Sequence, residues 1–348
     1  MTDSMVKQKP VRTLAELAAM ANVSTMTVSR ALRGRPEVDP ETCRRIQKLA
    51  QELQYRPNTG AARFRKGKTG MVGTVLQTEA APLAVAGQVI VGDFLVGISQ
   101  HLSEYKYHGV PIFERELQAD DGPEGPVFFR ERCVDGLICM VDSSDQAKQV
   151  LRKQQTPVIW LDTTEQQSRN CIWRDEYQAV VEALRALRDA GHRKIAYVRT
   201  EVGRVEPQRH PSAVQRSEAY TRCVCDAGLV PQKMDVKQLI SRLLKGKKTP
   251  SKKSLTAAIC YGLREAFMLS RLCAEHGIVI PRDLSVVSLD ANIASNYYWP
   301  QLSCVPYDRQ QAGELAAQML LKLIDGQKFI KSVILPAESV VGQTILPC

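Results

Sequence analysis

Val23-Ser24-Thr25-Met26-Thr27-Val28-Ser29-Arg30-Ala31-Leu32 reads as one short helix with two unlike faces. Val28, Ala31 and Leu32 stand at i, i+3 and i+4 and share a side that can pack inward. Met26, Ser29, Arg30 and Arg33 fall on the opposite side, and Thr25 lies at the exposed N-terminal tip. Ser24 suits the N-cap, because its hydroxyl can accept from backbone N–H groups left free in the first turn. A small mixed face with an arginine fits a DNA major groove. There Arg can bond guanine through two arms, and Thr or Met can meet a thymine methyl. Any amphipathic surface helix could show these ten residues, so the flanks decide.

Upstream, Thr13-Leu14-Ala15-Glu16 is a capping box, with Thr13 as cap and Glu16 reaching back. Leu14, Leu17, Ala18 and Ala21 form the apolar stripe of a helix about two turns long. Asn22 follows where the chain must turn, and Asn tolerates the left-handed conformation better than most residues. Downstream, Asp39-Pro40 opens a third helix as cap and first residue, with Ile46, Leu49, Ala50 and Leu53 on its inner side. Three short helices with a tight turn between the first two make a helix-turn-helix unit.

Charge agrees with that reading. Residues 1–70 hold 14 Lys and Arg against 6 Asp and Glu, which is +8 of the chain's net +10. A basic first fifth on a near-neutral body points to a polyanion partner at the N-terminus. The 348 residues suffice for two or three units. No apolar run reaches membrane-spanning length, and the basic, polar Val6–Arg12 stretch is no signal-peptide core, so a cytoplasmic protein is expected. The ten cysteines form no C-x-x-C, and no His stands at finger spacing, which argues against a zinc site. Cys139, Cys260 and Cys304 sit in apolar strand-like runs and read as core residues.

The head resembles the lactose/galactose-repressor family of bacterial transcription regulators. The resemblance is carried by Thr13-Leu14-x-Glu16-Leu17-Ala18, Val23-Ser24, Thr27-Val28-Ser29-Arg30-Ala31-Leu32, Val38-x-Pro40-Glu41-Thr42 and Tyr55-Arg56-Pro57-Asn58. It implies that the segment after Pro57 becomes a hinge helix on operator binding and wedges an apolar side chain, usually Leu, into the minor groove. That place is Phe64 here, with Ala61 beside it; a Phe can unstack a base step. The DNA-contact set is then Thr13, Ser24, Thr25, Met26, Thr27, Ser29, Arg30, Arg33, Tyr55, Asn58, Ala61 and Phe64.

From Met71 onward short apolar runs alternate with helical patterns. Met71–Leu76, Val110–Phe113, Gly136–Val141, Pro157–Leu161, Lys194–Val198, Thr256–Tyr261 and Leu284–Leu289 read as strands, with helices such as Tyr177–Ala190 and Leu263–His276 between them. Such alternation builds parallel sheets. Lys245–Lys253, with five lysines, reads as a solvated loop. No GxGxxG or P-loop is present, so no nucleotide cofactor is expected. No nucleophile–base–orienter set or metal constellation marks an enzyme.

The resemblance continues through Val134-Asp135-Gly136-Leu137-Ile138, Gly191-His192-Arg193-Lys194-Ile195-Ala196, Pro281-Arg282-Asp283-Leu284-Ser285-Val286-Val287 and Leu302-Ser303-x-Val305. It implies an N-terminal all-α helix-turn-helix head (1–56), a hinge helix and linker (57–69) and an α/β periplasmic-binding-protein-like body (70–346). The body would be two doubly wound parallel-sheet subdomains, the first about 70–170 and 303–330, the second about 171–302 and 331–346. It further implies a homodimer or tetramer on a palindromic operator, repressing under control of a sugar-like small molecule in the inter-subdomain cleft.

By the same resemblance Asp175, Arg216 and Asp290 line that cleft, and an arginine fork with two carboxylates can hold vicinal hydroxyls. The alternative is that Asp175 caps its helix and Arg216 pairs with Asp290. The family's Asn-Pro-Phe-Phe run is here Gln88-Val89-Ile90-Val91, its Asn-Asp is Gly262-Leu263, and Tyr307-Asp308 replaces a common Gln-Pro. Trp160, Trp299 or Tyr307 could then supply the stacking surface, or the cleft no longer takes a sugar. A ligand sensor that acts through protein partners is the reading from another class.

Overall fold

The computed structural model describes residues 13–56, 67–76, 85–118, 132–140, 145–153, 155–199, 211–248, 255–291, 293–337 and 342–348. Asn58, Ala61 and Phe64 lie outside the described residues. The chain divides between Thr69 and Gly70 into a head and a body.

The head is α1 (Leu14–Ala21), α2 (Thr25–Leu32) and α3 (Pro40–Glu52). Its capping box forms: the Glu16 amide donates to Thr13 Oγ1 at 3.1 Å and the Thr13 amide to Glu16 Oε2 at 3.2 Å. Asn22 takes the left-handed turn at φ 53°. Leu17, Val28, Ala31 and Ile46 are fully buried together. Arg45 Nη1 donates to the Ala21 carbonyl at 3.1 Å, and Gln47 Nε2 to the Ala31 carbonyl at 3.2 Å. Helix α3 thus ties off the C-terminal ends of both other helices, whose last carbonyls lack partners within their own helix.

The body holds two parallel sheets. The first runs β11-β5-β4-β3-β1-β2, from β1 (Met71–Leu76), β2 (His108–Phe113), β3 (Gly136–Cys139), β4 (Val158–Leu161), β5 (Cys171–Arg174) and β11 (Val333–Leu335). Helices α4 (Val85–Glu104) and α11 (Arg309–Ile324) cover the face presented by Val72, Ile138, Ile159 and Ile172. Val75, Leu137 and Cys139, one position out of phase, face the other layer with Leu151 of α6 (Asp145–Lys153). The short α5 (Glu114–Gln118) follows β2.

The second sheet runs β10-β9-β8-β6-β7, from β6 (Ile195–Val198), β7 (Lys233–Met234), β8 (Ala257–Cys260), β9 (Ser285–Ser288) and β10 (Ser303–Cys304). Ile195, Tyr197, Ile259 and Val287 meet α7 (Glu176–Asp189) and α8 (Pro211–Asp226). Ala196, Val198, Cys260 and Val286 meet α9 (Val236–Lys248) and α10 (Leu263–Glu275). His192 sits within hydrogen-bond distance of Thr256 Oγ1 (2.9 Å), Ser285 Oγ (3.0 Å) and the Leu346 carbonyl (3.0 Å), pinning the C-terminal segment to this sheet.

Three expectations are corrected. The strand Cys171–Arg174 and the strand Val333–Leu335, assigned above to the second subdomain, complete the first sheet: Trp160 pairs with Cys171, and Ile172 with Val333. Ser303–Cys304, assigned to the first, pairs with β9 of the second. The chain therefore crosses after Arg174, after Cys304 and after Leu335. The lysine-rich loop begins as helix, because Leu239, Ile240, Leu243 and Leu244 carry an apolar stripe that holds α9 on the sheet as far as Lys248.

Helices α4 and α11 approach unusually closely. A Cβ on Gly97 would collide with the Gln310 carbonyl, and one on Gly313 with the Phe94 carbonyl. The two glycines face each other's backbone, so neither position tolerates a side chain.

Candidate functional site

In the head, Thr25, Met26, Arg30 and Arg33 are exposed, and Met26 keeps 61% of its surface free despite being apolar. Ser29 is half-buried. Val28 and Ala31 are buried on the reverse side, so the face expected to read bases is the one left open. Ser24 caps α2 by accepting from the Thr27 amide at 3.1 Å, and the two hydroxyls lie 2.8 Å apart. Thr13 likewise serves its own helix. Tyr55, also named among the DNA contacts, packs its ring into the core of the head.

In the body, the carboxyl ends of β5, β9 and β10 meet in a seam, the place where open α/β sheets bind ligands. Arg174, at the end of β5, crosses it. Its Nη2 donates to the Leu289 carbonyl at 2.9 Å and its Nη1 to the Val305 carbonyl at 3.2 Å. The same guanidinium pairs with Glu176, Nη2 to Oε2 at 2.7 Å. Arg216 meets that carboxylate from the other side, Nε to Oε2 at 2.6 Å and Nη2 to Oε1 at 3.0 Å, and its Nη1 donates to the Tyr261 carbonyl at 2.6 Å. Burial alone would raise the pKa of Glu176, but Arg216 and Arg174 outweigh it and hold the group down at about 2.

Asp290, just past β9, takes Arg309 Nη2 on Oδ1 at 2.6 Å and the Ala291 amide on the same oxygen at 2.9 Å. Arg309, the first residue of α11, also donates from Nη1 to the Ala291 carbonyl at 3.1 Å. Burial pushes the Asp290 carboxyl up, and Arg309, helped by Arg216 and Arg174, brings it below its ordinary range. Tyr307 lies between Arg174 and Arg309, whose guanidinium carbons are 5.4 and 5.2 Å from its ring centre. Phe94 meets it edge-on at 5.7 Å. Burial first, then Asp162, pushes the Tyr307 hydroxyl well above its ordinary pKa.

Of the six candidate cleft residues, the structure brings Arg216, Asp290 and Tyr307 together. Asp175 stands at the crossing but caps α7 by accepting from the Gln178 amide at 2.8 Å. The alternative reading is thus half met: Asp175 caps, while Arg216 takes Glu176 and Asp290 takes Arg309. Trp160 is a correction. The pleat that points Ile159 and Leu161 toward α11 turns Trp160 to the other layer, into a depression of about 490 Å³ shared with Arg152, Arg169, Lys328 and Phe329. Trp299, 84% exposed, is no part of the buried set.

Sequence reasoning missed Arg174, Glu176 and Arg309. The signal available was Arg174-Asp175-Glu176, a run of charge at a strand end where the chain leaves its sheet. Among the described residues no group of three or more His, Cys, Asp and Glu could hold a metal ion, and no helix is long and apolar enough to cross a membrane.

Comparison with known proteins agrees with both parts of this geometry. Residues 13–58 match the model of bacterial regulatory proteins of the lacI family, and residues 184–345 that of the periplasmic binding protein-like domain. Catabolite control protein A of Priestia megaterium is 25% identical over 335 residues, 92% of this chain and 95% of that one. A lac repressor dimer bound to operator and the anti-inducer ONPF superposes with a TM-score of 0.78 at 22% identity, covering 97% of this chain and 100% of that one. The transcriptional regulator CelR in complex with cellobiose gives 0.64 at 20% identity, covering 95% and 99%. The helix-turn-helix head is thus similar to the lacI family of bacterial regulatory proteins, and the body of two parallel sheets to periplasmic binding proteins.

Proposed function

We propose that this DNA-binding transcription regulator works as a homodimeric repressor on a palindromic operator, in the cytoplasm, and that a small molecule in the seam between its two sheets sets its grip. The observation that carries the reading is the open face of α2. Met26 and Arg30 are exposed while the opposite side of the same helix is fully buried, which is the division a major-groove reader needs. In each half-site Thr25, Met26 and Arg30 would meet base edges, with Ser24, Thr27, Ser29 and Arg33 placed toward the flanking backbone. Asn58, Ala61 and Phe64 would follow into the minor groove at the centre of the site, and a pair of heads requires a two-fold site. Effector control follows from a seam whose two sides come from different sheets, a bistable element that a ligand can bias.

Selection of bound DNA from a random pool by the full-length protein tests this directly. Enriched sequences with two-fold symmetry are the expected result, and enrichment of a single asymmetric site would overturn the dimeric reading. One observation favours a cleft that takes no neutral sugar. Arg216 and Asp290, the polar groups a sugar would need, are each engaged by a buried partner of opposite charge. Neutral hydroxyls compete poorly with charge-assisted pairs.

A further inference from the structure

We infer that Arg309 makes the seam selective for a ligand carrying a carboxylate or phosphate group, with Tyr307 as the second donor. The inference rests on reading the seam as the effector cleft. Its starting point is which polar atoms there remain unengaged. Arg174 and Arg216 both present the Nε–Nη2 edge of the guanidinium to Glu176; Arg174 Nη2 also donates to the Leu289 carbonyl, and the Nη1 arms go to the carbonyls of Val305 and Tyr261. Arg309 differs. Its Nη2 and Nη1 hold Asp290 and the Ala291 carbonyl, but its Nε has no hydrogen-bond partner among the described residues although it is buried.

The Tyr307 hydroxyl is likewise buried and unpartnered, and its ring lies 5.2 Å from the Arg309 guanidinium. Arg309 is 4% exposed and Tyr307 6%. Two adjacent donors without acceptors, in a place where an unmet polar group is costly, call for a ligand that brings acceptors. The Nε–Nη2 edge of an arginine is the edge that takes a carboxylate or phosphate through both arms.

Charge in the seam is close to balanced: Arg174 and Arg216 are met by Glu176, Arg309 by Asp290, and the buried Glu265 nearby by Arg264. Asp162 is a further carboxylate felt by Tyr307 and Arg309, and its side chain is not fully buried. Asp290 is the group such a ligand must contend with. It holds Arg309 through Oδ1 alone, and its Oδ2 takes no hydrogen bond among the described residues, so the pair is held by one arm where Arg216–Glu176 is held by two. A ligand anion could take Nε and shift Asp290 aside, trading a one-armed pair for a two-armed one. Arg309 begins a sixteen-residue helix, whose N-terminal end adds to the attraction.

The test uses the full-length protein, with inorganic phosphate and D-glucose as probes at matched ionic strength, read by titration calorimetry and thermal melting. Saturable binding of phosphate with a raised melting temperature, and none by glucose, is expected. In Arg309→Met the phosphate affinity should fall about ten-fold or more, and in Tyr307→Phe about three-fold, as loss of a charged and of a neutral hydrogen bond implies. Tyr307→Phe removes an oxygen that bonds to nothing, so it reports on the site even if Arg309→Met fails to fold. No phosphate binding, phosphate binding equal in wild type and both variants, or glucose binding as tight as phosphate would each overturn the inference. Operator affinity separates it from the underlying reading. Phosphate binding that needs Arg309 but leaves operator affinity unmoved would sink the effector role and keep the anion site. Operator affinity that answers to glucose alone would do the reverse.

Discussion

Arg216 and Glu176 face each other across two buried hydrogen bonds, 2.6 and 3.0 Å, with neither side chain more than 5% exposed. The arginine that the family resemblance offers to a ligand is thereby held inside the protein. Removing Arg216 leaves Glu176 buried with Arg174 as its remaining charged partner. Arg216→Met should cost about 3–5 kcal/mol in urea unfolding, the range for a broken buried pair. A loss below about 1 kcal/mol, the size typical of exposed pairs, would show that water reaches Glu176.

The same carboxylate sets a pH dependence. Glu176 is held at about 2 in the folded protein against an ordinary value of 4.5, burial opposing and Arg216 with Arg174 prevailing. A lowered carboxylate stabilises fully above its unfolded pKa, and that contribution is lost as pH falls from 4.5 toward 2. Acid titrations of stability should steepen in this window. Glu176→Gln should flatten the curve there, and an unchanged slope would mean that other carboxylates govern the acid limb.

Gly97 and Gly313 each lie against the partner helix's backbone, which cannot rotate away as a side chain can. Gly97→Ala or Gly313→Ala should therefore reach about 3 kcal/mol, the upper part of the usual cost of overpacking. Gly34 makes the control. It has φ +63° and nothing within 4 Å, so Gly34→Ala should cost about 1–2 kcal/mol from backbone conformation alone. Thermal melts of the three variants should rank accordingly; equal losses would refute the close approach.

Arg30→Ala should relax one base position of the selected site by about 1–3 kcal/mol, the worth of a bidentate base contact. Uniform weakening across all sequences, with a smaller salt dependence, would instead make Arg30 a phosphate contact.

The head could be read almost residue by residue because its information is local. The Thr13–Glu16 box, the Asn22 turn and the Asp39-Pro40 start each lie within four residues of what they control. The packing of Tyr55 was not legible, because it depends on where three helices converge. In the body, strands with continuous apolar runs stood out. The four-residue β5, the two-residue β7 and β10 and the three-residue β11 did not, since pairing with distant neighbours, rather than composition, makes them strands. The cleft was half legible. Arg216 and Asp290 could be placed by motif, but their partners Glu176 and Arg309 are 40 and 19 residues away and share no pattern with them. Trp160 was lost to a one-residue matter, the alternation of a pleated strand.

The glycine crossing between α4 and α11 bears on the order in which the molecule is made. These helices are separated by two hundred residues of chain, including the whole of the second sheet, yet they close one side of the first. The first sheet thus cannot acquire its cover until synthesis has passed Ile324, nor its last strand until Leu335. A chain stopped at Asp308 would leave Val72, Ile138 and Ile159 without the residues of α11 that bury them. The head's core is drawn, among the described residues, from Leu14 to Tyr55 alone. The part that reads DNA is ready early on the ribosome, while the part proposed to answer to a ligand folds last and, by its long-range contacts, slowly.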